Sequence, residues 1–316
     1  LDRFSNMSDD LMISMNTIEA YENDIFKQPK FLDTFRIQNP ISKPNQKNVI
    51  FSGTGDSFAS AMLAEAFSNY LVKAIDPLEL INSKTIVNSK TIYFVSISGN
   101  TISNIKAAKI AKKSIAISSK PESRLVNTCD GSIILTSTSD VFTAGSISFL
   151  ESALTCISLV IPLSIPKNHL GIFQKALFDA KKSKLGKRIF VLGSMYTLPI
   201  ALYCAAKFYE ILGYDVHFQR IEQFSHMELF SAKKGDTVII FDGKNSHTKL
   251  LVKNLKSVGL NVLHPTFESK NKISQLLYYV FLSQLLPLFE AKKRGKKECH
   301  FILSKKFRNV SNRMIY

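Results

Sequence analysis

The sequence predicts an α/β protein built from two successive parallel sheets, each flanked by helices on both faces. Three observations carry this expectation. Short β-branched runs alternate with apolar helical stretches, the pattern of a parallel sheet buried on both sides. The pattern restarts at mid-chain. When Gly53 is set on Gly193, both halves read strand, glycine turn, alanine-rich helix, then a strand ending in a polar loop. The length of 316 residues and an apolar share of 45% suit two ordinary domains with real cores. The expected division is a helical segment at 1–45, a first α/β unit at 46–166 and a second at 167–316.

In chain order, residues 9–35 read as helical from Leu11, Met15, Ile18, Ile25 and Phe26, with Pro29 as an interruption. Residues 37–48 are a Pro/Asn-rich connector. Asn48–Ser52 reads as a strand, Gly53-Thr54-Gly55 as a tight turn and Ser57–Lys73 as a helix. A second strand, Thr91–Val95, runs into Ser96-Ile97-Ser98-Gly99-Asn100-Thr101 and another helix, and Ser114–Ile117 and Ser132–Thr136 read as further strands. The apolar run Ile147–Leu163 contains Ser148, Glu151, Ser152, Thr155 and Ser158. A membrane span needs about 20 mainly apolar residues, so this run reads as a buried helix and no membrane partner is expected. Residues 167–187 form a helix with a basic end. The second unit follows, with strand Arg188–Leu192, turn Gly193–Tyr196, helix Leu198–Leu212, strand Asp236–Phe241, a long helix Ile273–Ala291 and a basic strand or tail.

The charge balance is 41 basic against 25 acidic side chains, a formal net charge of +16. The lysines are scattered apart from local runs at Lys292–Lys297 and Lys305–Arg308, which reads as solvated surface able to draw in a small anion. No nucleic-acid-binding motif is present, so no nucleic-acid partner is expected. Cys129, Cys156, Cys204 and Cys299 include no C-x-x-C pair and no zinc spacing. Free thiols and the polar residues 1–10 lead to the expectation of a cytoplasmic protein with no secretory signal, and with no metal or cofactor.

The segment Ser96–Thr101 sits where a parallel strand ends and a helix begins. A helix entrance offers unpaired N–H groups and partial positive charge. Gly99 permits close backbone approach to an anion, and Ser96, Ser98 and Thr101 each add a rotatable O–H donor. A helix cap needs one such residue; three around a glycine point to a phosphate. Ligands of open α/β sheets bind at the carboxyl ends of the strands, and the Gly53–Ser57 turn belongs to the same edge. In the second half the matching strand ends in Asp242-Gly243-Lys244-Asn245, without hydroxyls, so the first half is expected to hold a site that the second lacks.

S-x-S-G-x-T after a strand resembles the phosphate loop of the SIS (sugar isomerase) family, and the chain resembles the isomerase half of glucosamine-6-phosphate synthase and its stand-alone relatives over nearly its whole length. Asp24-Ile25-Phe26-Lys27-Gln28-Pro29 is similar to that family's opening E-I-x-x-Q-P segment, and Ser139–Leu154 to its segment with a substrate-contacting serine. The resemblance implies two tandem SIS domains, each a flavodoxin-like three-layer α/β/α unit. It also implies a phosphorylated sugar held by Ser96, Ser98, Gly99 and Thr101, with Thr54 and Ser57 from the first turn and Ser146 from the serine segment.

Lys207 and Glu210 lie three apart on a helix and share a face, and His226 follows Glu210 by sixteen residues. The family has the same K-x-x-E helix and the same interval. Aldose–ketose isomerisation moves a proton between C1 and C2 through an enediol, work for one carboxylate whose pKa burial has raised. Glu210 is the candidate base, with Glu222 and Glu228 as weaker alternatives. His226 is the candidate for ring opening, and Lys207 for stabilising the enediolate oxygen or relaying protons.

Three departures from the family qualify the transfer. No glutamine-hydrolysing domain is expected ahead of the SIS pair. The family's C-terminal Schiff-base lysine falls on Asn312, beside Arg313, and neither can do amine chemistry. A lysine just after the substrate serine is Ser148 here. The expected activity is therefore aldose–ketose isomerisation of a hexose phosphate or amino-sugar phosphate. A deaminase or deglycase is the alternative enzyme, and a non-enzymatic phosphosugar sensor the alternative class. The resemblance also implies a homodimer in which the histidine-bearing segment crosses into the partner's site.

Overall fold

The computed structural model describes residues 15–137, 139, 141–186 and 188–316. The helical reading of residues 9–14, the polar stretch 1–10 and Lys187 lie outside these. Two all-parallel sheets are present. The first contains β1 (Val49–Gly53), β2 (Lys73–Ala74), β3 (Thr91–Val95), β4 (Lys113–Ser118) and β5 (Gly131–Ile134) in the order β2-β1-β3-β4-β5. The second contains β6 (Arg188–Gly193), β7 (Asp215–Arg220), β8 (Thr237–Phe241) and β9 (Asn261–Leu263) in the order β7-β6-β8-β9. The two orders are the same up to the fifth strand, so the duplication seen in sequence is repeated in topology.

The strands predicted from sequence are the inner ones, β1, β3, β4, β6 and β8, and the edge strand β5. Every residue of β1 and of β8 is buried. A strand covered on both faces is continuously apolar, which is what made these legible. Three of the four edge strands, β2, β7 and β9, were not foreseen. β2 is two residues long, and β7 is a polar run, DVHFQR, with half its positions exposed.

Three expected elements are corrected. The helix placed at Ser57–Lys73 is Asp56–Phe67; Asn69 and Tyr70 take positive φ, which ends the helix and turns the chain into β2. Pro29 does not interrupt the first helix, which runs Thr17–Asp33 through it. Its face is held by packing: Tyr21, Ile25 and Leu32 are buried, and Gln28 Nε2 donates to Gln284 Oε1 at 2.7 Å on the Lys272–Lys293 helix. Tertiary burial outweighs the one backbone hydrogen bond that proline removes. The basic C-terminal strand or tail is instead two helices, His300–Leu303 and Lys305–Ile315, the second without a buried residue.

One hydrophobic core runs from Ile18 to Cys299 and joins both halves. The Asp56–Phe67 helix of the first half packs against Ile147–Ser158 and also against Thr197–Leu212 of the second. That last contact places the start of the first α/β unit beside the K-x-x-E helix. The four cysteines are free; Cys156, Cys204 and Cys299 are buried and Cys129 is half-buried. Among the described residues no helix is long and apolar enough to cross a membrane. Nor is any group of three or more His, Cys, Asp or Glu placed to hold a metal ion.

Candidate functional site

In a sheet of order 2-1-3-4-5 the connections reverse between β1 and β3, and ligands sit in the crevice at that point. Gly53 pairs with Val95 in the register of these strands, so the turn after β1 and the loop after β3 leave the sheet side by side. Adjacent strands are about 5 Å apart. A Cβ on Gly53 would come within 2.8 Å of the Ser57 backbone, so glycine is what lets the helix start against the strand end. Gly193 has the same relation to Thr197 in the second half, at 2.5 Å.

The loop after β3 is built by Gly99. Its φ is +62°, and a Cβ there would lie 2.0 Å from Ser123 Oγ. Ser96 and Thr101 are buried, with their hydroxyls 3.4 Å apart, and Ser98 Oγ accepts from the Asn100 N–H at 3.3 Å. Thr101 occupies the cap position of the Ile102–Ile110 helix, yet its side chain makes no capping hydrogen bond. The hydroxyls are thus not consumed by capping, and the helix entrance keeps its donors. In the second half the matching entrance is filled by acceptors. Asn245 Oδ1 takes the Thr248 N–H at 2.8 Å, and Asp242 Oδ2 takes the Thr248 hydroxyl at 2.6 Å. The second entrance thus presents a carboxylate where the first presents hydroxyls. Gly99→Ala is expected to weaken binding of a phosphate ester at this loop about tenfold or more, since strain at positive φ costs about 1–3 kcal/mol. Isothermal titration on a variant with an unchanged circular dichroism spectrum checks this.

The second part of the site straddles the two halves. The Lys207 side chain is fully buried. Its ammonium donates to Asp56 Oδ2 at 2.7 Å, to Glu210 Oε2 at 2.5 Å and to the Gly145 carbonyl at 3.2 Å. Tyr203 donates to the same carbonyl at 2.9 Å, and its ring lies 5.0 Å from the ammonium. Burial alone would push Lys207 down, but the carboxylates of Asp56 and Glu210 overcome it and hold the ammonium above its ordinary range. Glu210 is pushed up to about 7, first by burial, against the pull of Lys207 and with the repulsion of Asp56. Its carboxylate is packed among these groups, yet the side chain keeps 35% of its exposure, so water tempers the shift and leaves an open approach.

An ammonium has three N–H donors, and all three of Lys207 are engaged. In this structure the Lys207 ammonium is bound to Asp56, Glu210 and the Gly145 carbonyl. Ser146 is buried at the start of the Ile147–Ser158 helix, next to Gly145, and its Oγ meets no partner among the described residues. Thr54 is half-exposed and Ser57 buried at the turn after β1. His226 stands apart. Its side chain is 68% exposed and pairs with Glu222 at 3.2 Å, on the surface of the short Ile221–His226 helix. Of the two alternative bases, Glu222 is also exposed and Glu228 half-buried.

Sequence reading missed Asp56, Gly145, Tyr203 and Tyr21. An aspartate opening a helix ordinarily complements the helix dipole, and nothing local says that Asp56 reaches a lysine 151 residues away.

Residues 185–284 match the SIS domain family. The fold is similar to that of glucosamine-6-phosphate deaminase from Thermotoga maritima, with a TM-score of 0.74 at 21% identity, covering 89% of this chain and 95% of that one. It is similar to the C-terminal domain of glucosamine-fructose-6-phosphate aminotransferase from Francisella tularensis, with a TM-score of 0.73 at 16% identity over 89% and 97%. It is also similar to tagatose-6-phosphate ketose/aldose isomerase from Escherichia coli, with a TM-score of 0.68 at 16% identity over 88% and 94%. No curated protein sequence matches the chain. The match to the SIS family thus falls within the second half of the chain, and the first half, with the same strand order and the same glycine turn, repeats the fold of the second.

Proposed function

We propose that the protein is a phosphosugar isomerase that interconverts aldose and ketose forms of a hexose phosphate or amino-sugar phosphate. The observation that carries this is the adjacency of two unlike devices. A hydroxyl-lined helix entrance after β3 suits a phosphate, and the neighbouring turn after β1 reaches, through Asp56, the Lys207–Glu210 pair. A ligand anchored by its phosphate at the first would extend its carbonyl end toward the second.

In this reading Glu210 takes the proton from C2 of the open-chain aldose, the C2–H electrons form the C1–C2 double bond, and the C1 carbonyl electrons move to O1. Glu210 then returns the proton to C1 while the C2 carbonyl forms and the proton leaving O2 passes to O1. A carboxylate near neutrality can do both. Ser146 Oγ, buried and without a partner among the described residues, is available to a sugar hydroxyl. His226, exposed on its own chain, opens the ring from a second copy in a shared site.

The same carbons serve a deaminase, and the fold similarity to the Thermotoga deaminase supports that as the second reading. The test is incubation with a panel of hexose and hexosamine 6-phosphates in deuterated water. Mass spectrometry is expected to find deuterium at C1 or C2 of at least one member, together with its isomer. Ammonia release with deuterium incorporation selects the deaminase. Tight binding with neither deuterium nor ammonia across the panel makes the protein a sensor and ends the enzymatic reading.

A further inference from the structure

We infer that Asp56 is a positioning residue for this reaction, holding the Lys207 ammonium from across the boundary between the two halves so that it is shared by two carboxylates instead of neutralising Glu210 alone. The inference rests on the reading of Glu210 as the base.

Three segments distant in sequence converge to make this arrangement. Asp56 is the first residue of the Asp56–Phe67 helix and is delivered by the turn after β1. Its Oδ2 lies 2.7 Å from Lys207 Nζ, while its Oδ1 is buried and meets no donor among the described residues. The Asp56 carboxylate is therefore committed to Lys207. Gly145 supplies the third acceptor through its carbonyl, and a Cβ on Gly145 would lie 2.8 Å from Asp56 Oδ2. Glycine at that position is what leaves room for the Asp56 carboxylate.

The charge count gives the arrangement its chemical meaning. A carboxylate paired one-to-one with a buried ammonium is held strongly ionised and is a poor base. Here one ammonium faces two carboxylates, so one negative charge stays uncompensated in a largely dry seam. Among the described residues, Tyr21 from the Thr17–Asp33 helix, Tyr203 from the Lys207 helix itself and Cys299 from the C-terminal segment also face the trio. Burial pushes all three upward, so they are neutral at neutral pH. Among the charged groups of the described residues, Asp56 and Lys207 set how tightly Glu210 holds its proton. Removing the Asp56 charge hands Lys207 to Glu210 and makes Glu210 more acidic.

The experiment is a carbon-13 NMR titration of glutamate-labelled protein, with the Glu210 carboxyl assigned by its loss in Glu210→Gln. In Asp56→Asn the Glu210 midpoint is expected to move about one pH unit or more toward acid. The acid limb of kcat for proton exchange should move the same way, with KM for the phosphosugar little changed. Should Asp56→Asn fail to fold, Gly145→Ala displaces the same carboxylate and is expected to move the midpoint in the same direction. A folded variant whose Glu210 midpoint stays put or moves toward base overturns the role of Asp56. The titration needs no turnover. An inactive wild-type protein would end the isomerase reading while leaving the Asp56–Lys207–Glu210 coupling measurable.

Discussion

Glu210→Gln is expected to lose hydrogen exchange at C1 and C2 of the sugar by about a hundred- to ten-thousand-fold, the usual contribution of a positioned general base. Phosphosugar binding should change little, because the hydroxyls and N–H groups proposed to hold the phosphate lie on the loop after β3. Glutamine keeps the shape of the side chain and one carbonyl acceptor for Lys207, so the loss reports proton transfer. The pH dependence makes the test sharper. The active form is the carboxylate, and burial pushes its pKa up to about 7 against the pull of Lys207. The exchange rate of the wild-type protein should therefore rise with pH through about 7, and Glu210→Gln should show no such limb. A residual exchange rate in Glu210→Gln with the same acid limb as wild type would move the base elsewhere, to Glu222 or Glu228 of a second copy.

How much of this was legible in sequence depends on whether the information was local. Ser96, Ser98, Gly99 and Thr101 form one short segment between a strand and a helix, so their convergence could be read directly. Lys207 and Glu210 are three apart on one helix, so their pairing was legible too. The inner strands β1, β3, β6 and β8 were legible because burial on both faces leaves them uniformly apolar. β2, β7 and β9 were not, because an edge strand is short or polar and its pairing is decided by a neighbour far away in the chain. Asp56 failed for the same reason: its meaning comes from a lysine in the other half. The spacing of His226 from Glu210 was visible, but spacing carries no information about which chain's site a histidine faces. The structure places it on the surface of its own chain.

Lys207→Met is the substitution expected to cost most in stability. Lys207 ties Asp56 of the first half to Glu210 of the second at 2.7 and 2.5 Å. Methionine fills much of the same volume but leaves two carboxylates facing each other in a poorly hydrated space. Breaking a buried ion pair in this way costs about 3–5 kcal/mol. The lower end applies here, since Asp56 and Glu210 keep 22% and 35% of their side-chain exposure. The sign of the pH dependence follows from linkage. Without the ammonium, Glu210 loses the pull that opposes burial, and its folded-state pKa lies further above its unfolded value. The folded variant therefore binds more protons than the unfolded chain, and its stability falls as pH rises through the folded pKa of Glu210. Chemical denaturation at several pH values is expected to show Lys207→Met closest to wild type at low pH, where Glu210 is protonated, and increasingly destabilised toward neutrality. Adding Asp56→Asn to Lys207→Met removes one of the two charges and should recover part of the loss at neutral pH while changing little in acid. A deficit that is the same at every pH would mean that Lys207 contributes through packing of its methylene stem. The shared ammonium would then not be what holds the two halves of the site in register.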